Sequence, residues 1–251
     1  MFDTYRGDLA CVLDRDPAAR SAAEVIFCYP GFRAVRSYRF AHFLYTHHMR
    51  TFARLVSEWC RFFTGVDIHP AAVIGKRLFI DHAMGVVIGE TCEIGDDVTI
   101  YQGTTLGGTG KETGKRHPTL GSHVMVSAGA SVLGPVTVGD YAKIGAGAVV
   151  LKDVPPCATV VGVPGQVVRL NNCPHNCGRV PDCQGDKKLC KEREHCPALE
   201  NGRVRSGVGE AGVDLDQVHL PDPVQQQLNV LLSRIEALEA QQSTEKTPQD
   251  R

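Results

Sequence analysis

Two short stretches of the sequence hold histidine next to charged residues and glycine. The first is residues 81–85, which includes His82, and the second is residues 107–118, which includes Arg116 and His117. Histidine changes its charge near neutral pH and is therefore well suited to take a proton from a reacting group. The two stretches are the first candidates for an active site, and His82 is the first candidate for its base.

Both stretches interrupt a six-residue repeat that runs through the middle of the chain. Its aliphatic residues, often followed by glycine, are Ile68, Ile74, Ile80, Ile88, Ile94, Ile100, Leu106, Leu120, Val126, Val132, Val138, Ile144 and Val150. A short fixed period is typical of solenoids, and six residues suit one flat face of a prism-shaped β-helix. The spacing lengthens to eight residues after Ile80 and to fourteen after Leu106. Insertions in a solenoid form loops that often bind ligands, so the two interruptions predict where the active site lies.

The composition changes along the chain and predicts several segments. In order, they are an N-terminal helical region over residues 1–65, a β-helix over 66–170, a Cys-rich segment over 171–200, a linker over 201–223, an amphipathic helix over 224–242 and a disordered tail over 243–251. Within the first segment, Asp16-Pro17 has the form of an N-cap followed by proline at the first position of a helix.

The predicted C-terminal helix has a heptad seam of apolar residues. The seam consists of Val224, Leu228, Leu231, Ile235 and Leu238. One short amphipathic helix cannot bury such a seam alone. The helix therefore either packs against its own domain or self-associates as a coiled coil, and the sequence favours neither.

Composition and charge exclude several classes of protein. The chain has 251 residues and a formal net charge of −1, and its basic residues form no stripe, so nothing indicates nucleic-acid binding. No run of eighteen apolar residues indicates a membrane span. The first residues include acidic side chains and lack an apolar stretch, unlike a signal peptide. We expect a cytoplasmic protein.

Five of the ten cysteines lie close together in the Cys-rich segment. They are Cys173, Cys177, Cys183, Cys190 and Cys196. Thiolates are soft ligands, so the set predicts zinc or an iron–sulfur cluster, with redox-responsive thiols or free thiols as alternatives. The five other cysteines are scattered, and we expect them to be buried and unreactive thiols.

A set of ordered motifs resembles one enzyme family. The motifs are Arg15-Asp16-Pro17-Ala18, Val66-Asp67-Ile68-His69-Pro70, Ile80-Asp81-His82-Ala83, Val87-Ile88-Gly89-Glu90-Thr91, Leu106-Gly107-Gly108-Thr109-Gly110-Lys111, Arg116-His117-Pro118, Val154-Pro155-Pro156 and Gly162-Val163-Pro164. In this order and spacing they resemble the serine O-acetyltransferases over about residues 3–170. The resemblance implies a mainly β fold, a left-handed parallel β-helix of hexapeptide repeats preceded by helices. It also implies homotrimers with active sites at subunit interfaces. A dimer of trimers is possible, but the chain begins late relative to the helical segment that joins trimers in longer members.

The resemblance implies a specific chemistry. An alcohol is a poor nucleophile while it is protonated, so acetyl transfer to serine needs a base. By resemblance that base is His82, and Asp67 is the carboxylate that orients it. Asp16, Asp81 and Glu90 match substrate-site carboxylates, Arg116 matches the cation for the serine carboxylate, and His117 matches a further serine contact that could stabilise the tetrahedral intermediate. His69 is interpreted as structural.

The resemblance also implies a site for the co-substrate acetyl-CoA along the β-helix. Small residues allow close approach of this long molecule. The candidates are Gly108, Thr109, Ala128 and Ala146, with Lys111 and Lys143 as phosphate contacts.

Partners and alternatives follow from the same comparison. L-Cysteine is a possible feedback inhibitor at the serine site. Docking to O-acetylserine sulfhydrylase is not expected, because the chain ends in Asp250-Arg251 and lacks a C-terminal isoleucine. The alternatives are an acyltransferase for another amino acid or a sugar, a β-helix carbonic anhydrase using His82, His117 and His123, and a non-catalytic scaffold that binds a partner through residues 173–240.

Overall fold

The structure is a computed structural model, and it describes residues 2–110, 113–170, 228 and 231–235. Four helices come first: α1 (Phe2–Arg15), α2 (Ala22–Cys28), α3 (Pro30–Thr46) and α4 (Arg50–Thr64). Ser21 caps α2 by accepting a hydrogen bond from the N–H of Glu24 at 3.2 Å. Pro30 occupies the first turn of α3, and Gly65 ends α4 in the left-handed conformation at φ 71°.

The prediction that Asp16-Pro17 starts a helix is wrong. Helix α1 ends at Arg15, and the carboxylate of Asp16 accepts a hydrogen bond from the N–H of Ala18 at 2.8 Å. This local bond competes with helix formation and makes a turn. The next helix starts later, at its own cap, Ser21.

Fifteen short strands follow these helices within the described part of residues 67–170. They are β1 (Asp67–Ile68), β2 (Val73–Ile74), β3 (Phe79–Ile80), β4 (Val87–Ile88), β5 (Glu93–Ile94), β6 (Thr99–Ile100), β7 (Thr105–Gly107), β8 (Thr119–Leu120), β9 (Met125–Val126), β10 (Ser131–Leu133), β11 (Thr137–Val138), β12 (Lys143–Ile144), β13 (Val149–Val150), β14 (Ala158–Val161) and β15 (Gln166–Leu170). Every pairing is parallel except that of β14 with β15.

The strands form the three faces of a prism. The first face has the order β1-β4-β7-β10-β13, the second β2-β5-β8-β11, and the third β3-β6-β9-β12-β14-β15. The β-helix predicted from the repeat is therefore confirmed. All thirteen repeat aliphatics point inward and are at most 7% exposed. Each buried side chain of this size stabilises the fold by about 1.5–3 kcal/mol, so the stack is the main source of stability.

The chain turns at three corners between these faces. The 1–2 corner includes His69, Glu90 and His117. The 2–3 corner is the column Arg77, Asp97, His123, Tyr141 and Cys157, all with φ between 57° and 60°. The 3–1 corner holds His82, Gly103, Ala128-Gly129 and Ala146-Gly147, and its coils are linked by backbone hydrogen bonds such as that from the N–H of Gly147 to the carbonyl of Ala128 at 2.9 Å. The corner that a residue occupies decides which other side chains it can meet.

Part of the C-terminal seam lies within the described residues. Leu228 and residues 231–235 are helical. Leu228, Leu231 and Ile235 are each about half exposed. Val224 and Leu238 lie outside the described residues.

Candidate active site

His82 lies at the 3–1 corner, in the insertion between β3 and β4. Its backbone and that of Ala83 are both left-handed, at φ 56° and 58°. The left-handed conformation costs free energy for residues other than glycine, so two of them in succession strain the backbone. Such strain is typical of functional sites. The N–H of His82 donates to the carboxylate of Asp81 at 2.9 Å, and its Nε2 lies 3.9 Å from the same carboxylate. The imidazole is 72% exposed, so a substrate can reach it.

Asp16 joins Asp81 and His82 at this corner. Tyr29 shares a hydrogen bond with Asp16, and burial, this bond and the charges of Asp16, Glu24 and Asp81 raise the pKa of Tyr29 to about 12. Burial chiefly raises the pKa of Tyr101 as well, and the charges of Asp81 and Asp16 add to the rise. Both carboxylates therefore act on the same two phenols. The surface is acidic and suits an ammonium group. Tyr29 and Tyr101 were not found from the sequence, since neither lies in an interruption of the repeat.

His117 lies at the 1–2 corner in a fixed orientation. Its Nδ1 accepts a hydrogen bond from the N–H of Thr91 at 3.2 Å and lies 2.9 Å from the hydroxyl oxygen of the same residue. Burial, followed by the charge of Arg116, lowers the pKa of His117. The ring is therefore neutral at pH 7 and carries its proton on Nε2, which can donate to an oxygen atom of a substrate.

Gly89 makes room for the His117 ring. A Cβ atom at residue 89 would lie 1.9 Å from Cδ2 of His117. No other residue type fits there without moving the imidazole.

Glu90 and Arg116 form an ion pair beside His117. The hydrogen bond from Arg116 lowers the pKa of Glu90. His69 is at the same corner, where its Nδ1 accepts a hydrogen bond from the N–H of Ala71 at 3.1 Å. Burial chiefly lowers the pKa of His69, with further effects from the charges of Arg54, Glu90, Asp67 and Arg116. The 1–2 corner is thus a second group of charged side chains.

Asp67 contacts α4, and its charge acts on the second group. Its carboxylate lies 3.8 Å from the guanidinium of Arg61 on α4. It is also among the charges that act on His69. In the next coil Asp67 lies beside Val87, five residues after His82. The role of Asp67 in orienting His82 stays a prediction.

The predicted CoA contacts divide between the same two corners. Ala128 and Ala146 lie in successive coils of the 3–1 corner, the corner of His82. Gly108 lies beside Arg116 and His117, since a Cβ at residue 108 would be 3.1 Å from the carbonyl oxygen of Arg116. The hydroxyl of Thr109 would be 3.2 Å from a Cβ at Gly134. Lys143 begins β12 on the third face, and Lys111 lies outside the described residues.

The cysteines give a mixed result. Cys173, Cys177, Cys183, Cys190 and Cys196 lie outside the described residues. Among the scattered cysteines, Cys11 and Cys92 are buried and free, and burial raises their pKa to about 11 and about 12. The expectation of a buried, unreactive thiol is wrong for Cys28, which is exposed, and for Cys157, which is disulfide-bonded.

The described part of the chain lacks two features of other protein classes. It contains no group of three or more His, Cys, Asp or Glu residues placed to hold a metal ion. His82, His117 and His123 lie at three different corners, so one chain does not bring them together. No described helix is long and apolar enough to cross a membrane.

The chain is similar to characterised proteins. Residues 117–152 match the family model described as bacterial transferase hexapeptide (six repeats). A serine acetyltransferase of Mycobacterium tuberculosis is 61% identical over 222 residues, which cover 85% of this chain and 96% of the relative. The chain belongs to the serine acetyltransferase family.

Solved structures of serine acetyltransferases have the same fold. One from Brucella abortus, in complex with coenzyme A, has a TM-score of 0.66 and 43% identity, over 68% of this chain and 69% of that one. Another, in complex with cysteine, has a TM-score of 0.66 and 45% identity, over 67% and 66% of the two chains. The prism of this chain is accordingly a left-handed parallel β-helix of hexapeptide repeats.

Proposed function

We propose that the protein transfers the acetyl group of acetyl-CoA to the hydroxyl group of L-serine, giving O-acetyl-L-serine and CoA, with His82 as the general base. The observation that supports this assignment is the position of the exposed His82 imidazole. On one side of it is the acidic surface of Asp16 and Asp81, and on the other is an open column of small residues at the 3–1 corner. The acidic surface suits the serine ammonium group, and the column suits a long thioester.

A small number of side chains carry out the steps of the proposed reaction. His82 takes the proton of the serine hydroxyl as the oxygen attacks the thioester carbonyl. The negative charge on the former carbonyl oxygen accepts a hydrogen bond from Nε2 of His117. The C–S bond then breaks, and the proton on His82 goes to the CoA thiolate. Arg116 holds the serine carboxylate, and Glu90 holds Arg116 in place through their ion pair.

We infer that the site is composite and forms between two copies of the chain. Asp16, Asp81 and His82 lie at the 3–1 corner, while the residues that complement them lie at the 1–2 corner across the first face. Serine is too small to touch both corners of one prism. A second copy that presents its 1–2 corner to the 3–1 corner of the first would complete the site, with Asp67, Glu90, Arg116 and His117 coming from the neighbour.

The CoA contacts support the same arrangement. Ala128 and Ala146 would form one wall of a groove above His82, and Gly108 and Thr109 of a neighbouring copy would form the other. Lys111 and Lys143 are proposed as phosphate contacts. In such a groove the thioester lies at the end where His82 and His117 meet.

We propose a homotrimer as the assembly, because three prisms around one axis pair every 3–1 corner with a 1–2 corner. Helix α4 exposes Phe52, Trp59 and Phe62, each at least 64% exposed, which provides a further surface for contact between copies or between two trimers. Light scattering of the purified protein distinguishes trimer from hexamer.

Three further proposals concern ligands and location. L-Cysteine resembles serine at both of its charged groups, so it should compete with serine, and raised apparent KM for serine in its presence tests this. The zinc or iron–sulfur proposal for residues 173–196 is tested by elemental analysis. The reaction is proposed to take place in the cytoplasm.

The proposed base is tested by comparing His82→Ala with His123→Ala. His123 is an exposed histidine with the same left-handed backbone, at φ 58°, but at the 2–3 corner. General-base loss should lower kcat about 100- to 10,000-fold in the first variant, and the second should stay within about twofold of the unchanged protein. The measurement is serine-dependent thiol release from acetyl-CoA. Persistent activity in His82→Ala would show that another group is the base.

The composite site is tested by mixing two inactive variants, His82→Ala and Arg116→Ala. If the two corners come from different copies, random mixed trimers contain about a quarter of sites with both corners intact. Activity should return to about that fraction on co-refolding. If each site came from one chain, no mixture would contain an intact site and none would regain activity.

A further inference from the structure

Asp97 is the centre of a charged cluster at the 2–3 corner, remote from His82. Its carboxylate accepts hydrogen bonds from Nε of Arg77 at 2.7 Å and from the guanidinium of Arg15 at 2.9 Å, and Nε2 of His123 lies 3.9 Å away. The Asp97 side chain is 13% exposed. The hydrogen bond from Arg77, followed by the charges of Arg77, Arg15 and His123, holds the pKa of Asp97 below its usual range. Asp97 is therefore ionised at neutral pH and firmly held.

Arg15 is fixed to the β-helix by this cluster. Besides the bond to the Asp97 carboxylate, its guanidinium donates to the hydroxyl of Thr99 at 3.1 Å and to the carbonyl of Asp97 at 3.3 Å. The Arg15 side chain is 11% exposed. Three acceptors on one coil define both the position and the direction of a planar guanidinium. The C-terminal end of α1 is thus held on the third face.

The residue that follows Arg15 is Asp16. Its N–H donates to the carbonyl of Val12 at 3.0 Å, so the chain continues from α1 without a flexible joint. Asp16 then shares its hydrogen bond with Tyr29 and lies in the acidic surface with Asp81. Asp81 follows β3, while Thr99 begins β6, the neighbouring strand of the third face. The anchor of α1 at the start of β6 and the proposed ammonium site after the end of β3 therefore lie at opposite ends of two neighbouring strands of one sheet.

We propose that Asp97 is a positioning residue of the serine site, which holds Arg15 and thereby fixes Asp16 beside Asp81. The inference rests on the proposed function, in which Asp16 and Asp81 bind the serine ammonium group. Asp97 does not touch the substrate. Its loss leaves Arg15 without its charged acceptor and lets the turn that carries Asp16 move. A displaced carboxylate makes a weaker hydrogen bond to the ammonium group. The affinity for serine therefore decreases more than the rate of the chemical step.

The variant Asp97→Asn tests this proposal, because asparagine tolerates the left-handed backbone of residue 97 at φ 60°. Loss of one charge-assisted bond should raise KM for serine about tenfold. The values of kcat and of KM for acetyl-CoA should stay within about twofold. An unchanged KM for serine in folded protein would overturn the proposal.

Asp8→Asn is the matched control for loosening of α1. Asp8 is buried, accepts the N–H of Arg77 at 2.8 Å and lies 3.4 Å from Nε of Arg39, so it also holds α1 to the β-helix. It lies at the middle of α1, about two turns before Asp16. This variant should lower the thermal midpoint but leave KM for serine unchanged. An equal rise of that KM in both variants would indicate general loosening and contradict a specific role for Asp97.

Thr99→Val and Arg15→Lys keep the proposal testable if Asp97→Asn does not fold. Thr99→Val removes one acceptor of Arg15 and preserves the shape of a side chain that is 2% exposed. Arg15→Lys keeps the charge but cannot make the three bonds. Each should raise KM for serine about two- to fivefold. Wild-type KM in both folded variants would also overturn the proposal.

A double-mutant cycle with Asp16→Asn separates this inference from the proposed function. If Asp97 acts through Asp16, the double variant should have the KM for serine of Asp16→Asn alone. Additive effects would show that Asp97 acts by another route. If Asp16→Asn raises the KM and Asp97→Asn does not, only the positioning role fails. If Asp16→Asn has no effect, the proposed ammonium site and the inference that rests on it both fail.

Discussion

The 3–1 corner and the 2–3 corner border the same face of the β-helix, and their backbones have the same left-handed turns. At the 2–3 corner, Arg77, Asp97 and His123 form a ladder of ionic contacts, which continues with His123 stacked on Tyr141 at 4.5 Å between ring centroids. Above His82, the 3–1 corner has small residues, and a Cβ at Gly129 or Gly147 would meet no atom within 4 Å. One corner is filled by its own side chains, and the other leaves space beside its glycines.

This difference shows how one repeat unit serves both stability and catalysis. Each coil needs a left-handed residue at both corners, and a side chain there costs free energy unless it makes compensating contacts. The ladder side chains make such contacts with the coils above and below. The imidazole of His82 lies 3.9 Å from the Asp81 carboxylate and is 72% exposed, which fits a side chain proposed to meet a substrate. The 1–2 corner resembles the 2–3 corner in being filled by its own charged side chains, but His117 there is proposed to act on the substrate.

Among the variants that test this difference between corners, Gly89→Ala compared with Gly121→Ala has the largest expected effect. A Cβ at residue 89 would displace the His117 ring, whereas a Cβ at residue 121 would lie 2.8 Å from the backbone nitrogen of Asp140 beside the 2–3 corner. Loss of a positioned oxyanion donor should lower kcat of Gly89→Ala about 100-fold. Gly121→Ala should instead lower the thermal midpoint and keep its kcat per folded molecule. The measurements are kinetics and thermal unfolding of both variants, and equal losses of kcat would show that both glycines act only through packing.

The sequence predicted the scaffold well because the repeat is a local signal. A buried aliphatic residue every six positions defines the strands without knowledge of their neighbours, and the two interruptions marked His82 and His117. The cross-coil contacts could not be predicted in this way. Asp97 meets Arg77 and His123 because the intervening coils are 20 and 26 residues long, lengths that include the two insertions. Likewise, Arg61 meets Asp67 only because α4 packs beside β1.

The open column is tested by Ala146→Phe, with Val73→Phe as its control. Ala146 is exposed at the 3–1 corner, and Val73 is 57% exposed on the second face, away from both proposed walls of the groove. A phenyl ring at residue 146 should obstruct the co-substrate and raise KM for acetyl-CoA about tenfold, equivalent to ~1.4 kcal/mol. KM for serine should not change. Val73→Phe should leave both constants as they were. A rise in both variants would show that the ring disturbs the β-helix and would remove the support for a groove at this corner.

The smallest expected effect is a change in how the thermal stability of the protein depends on pH. Burial lowers the pKa of His69 and of His117, both at the 1–2 corner, from the ordinary value of 6.5. Below about pH 6.5 the unfolded chain therefore binds protons that the folded chain does not, and the free energy of unfolding decreases as the pH falls. Between pH 6.5 and 5 the thermal midpoint should fall less in the double variant His69→Gln/His117→Gln than in the unchanged protein. An equal fall of the thermal midpoint in the double variant and in the unchanged protein would contradict the assignment of buried, neutral histidines to the 1–2 corner.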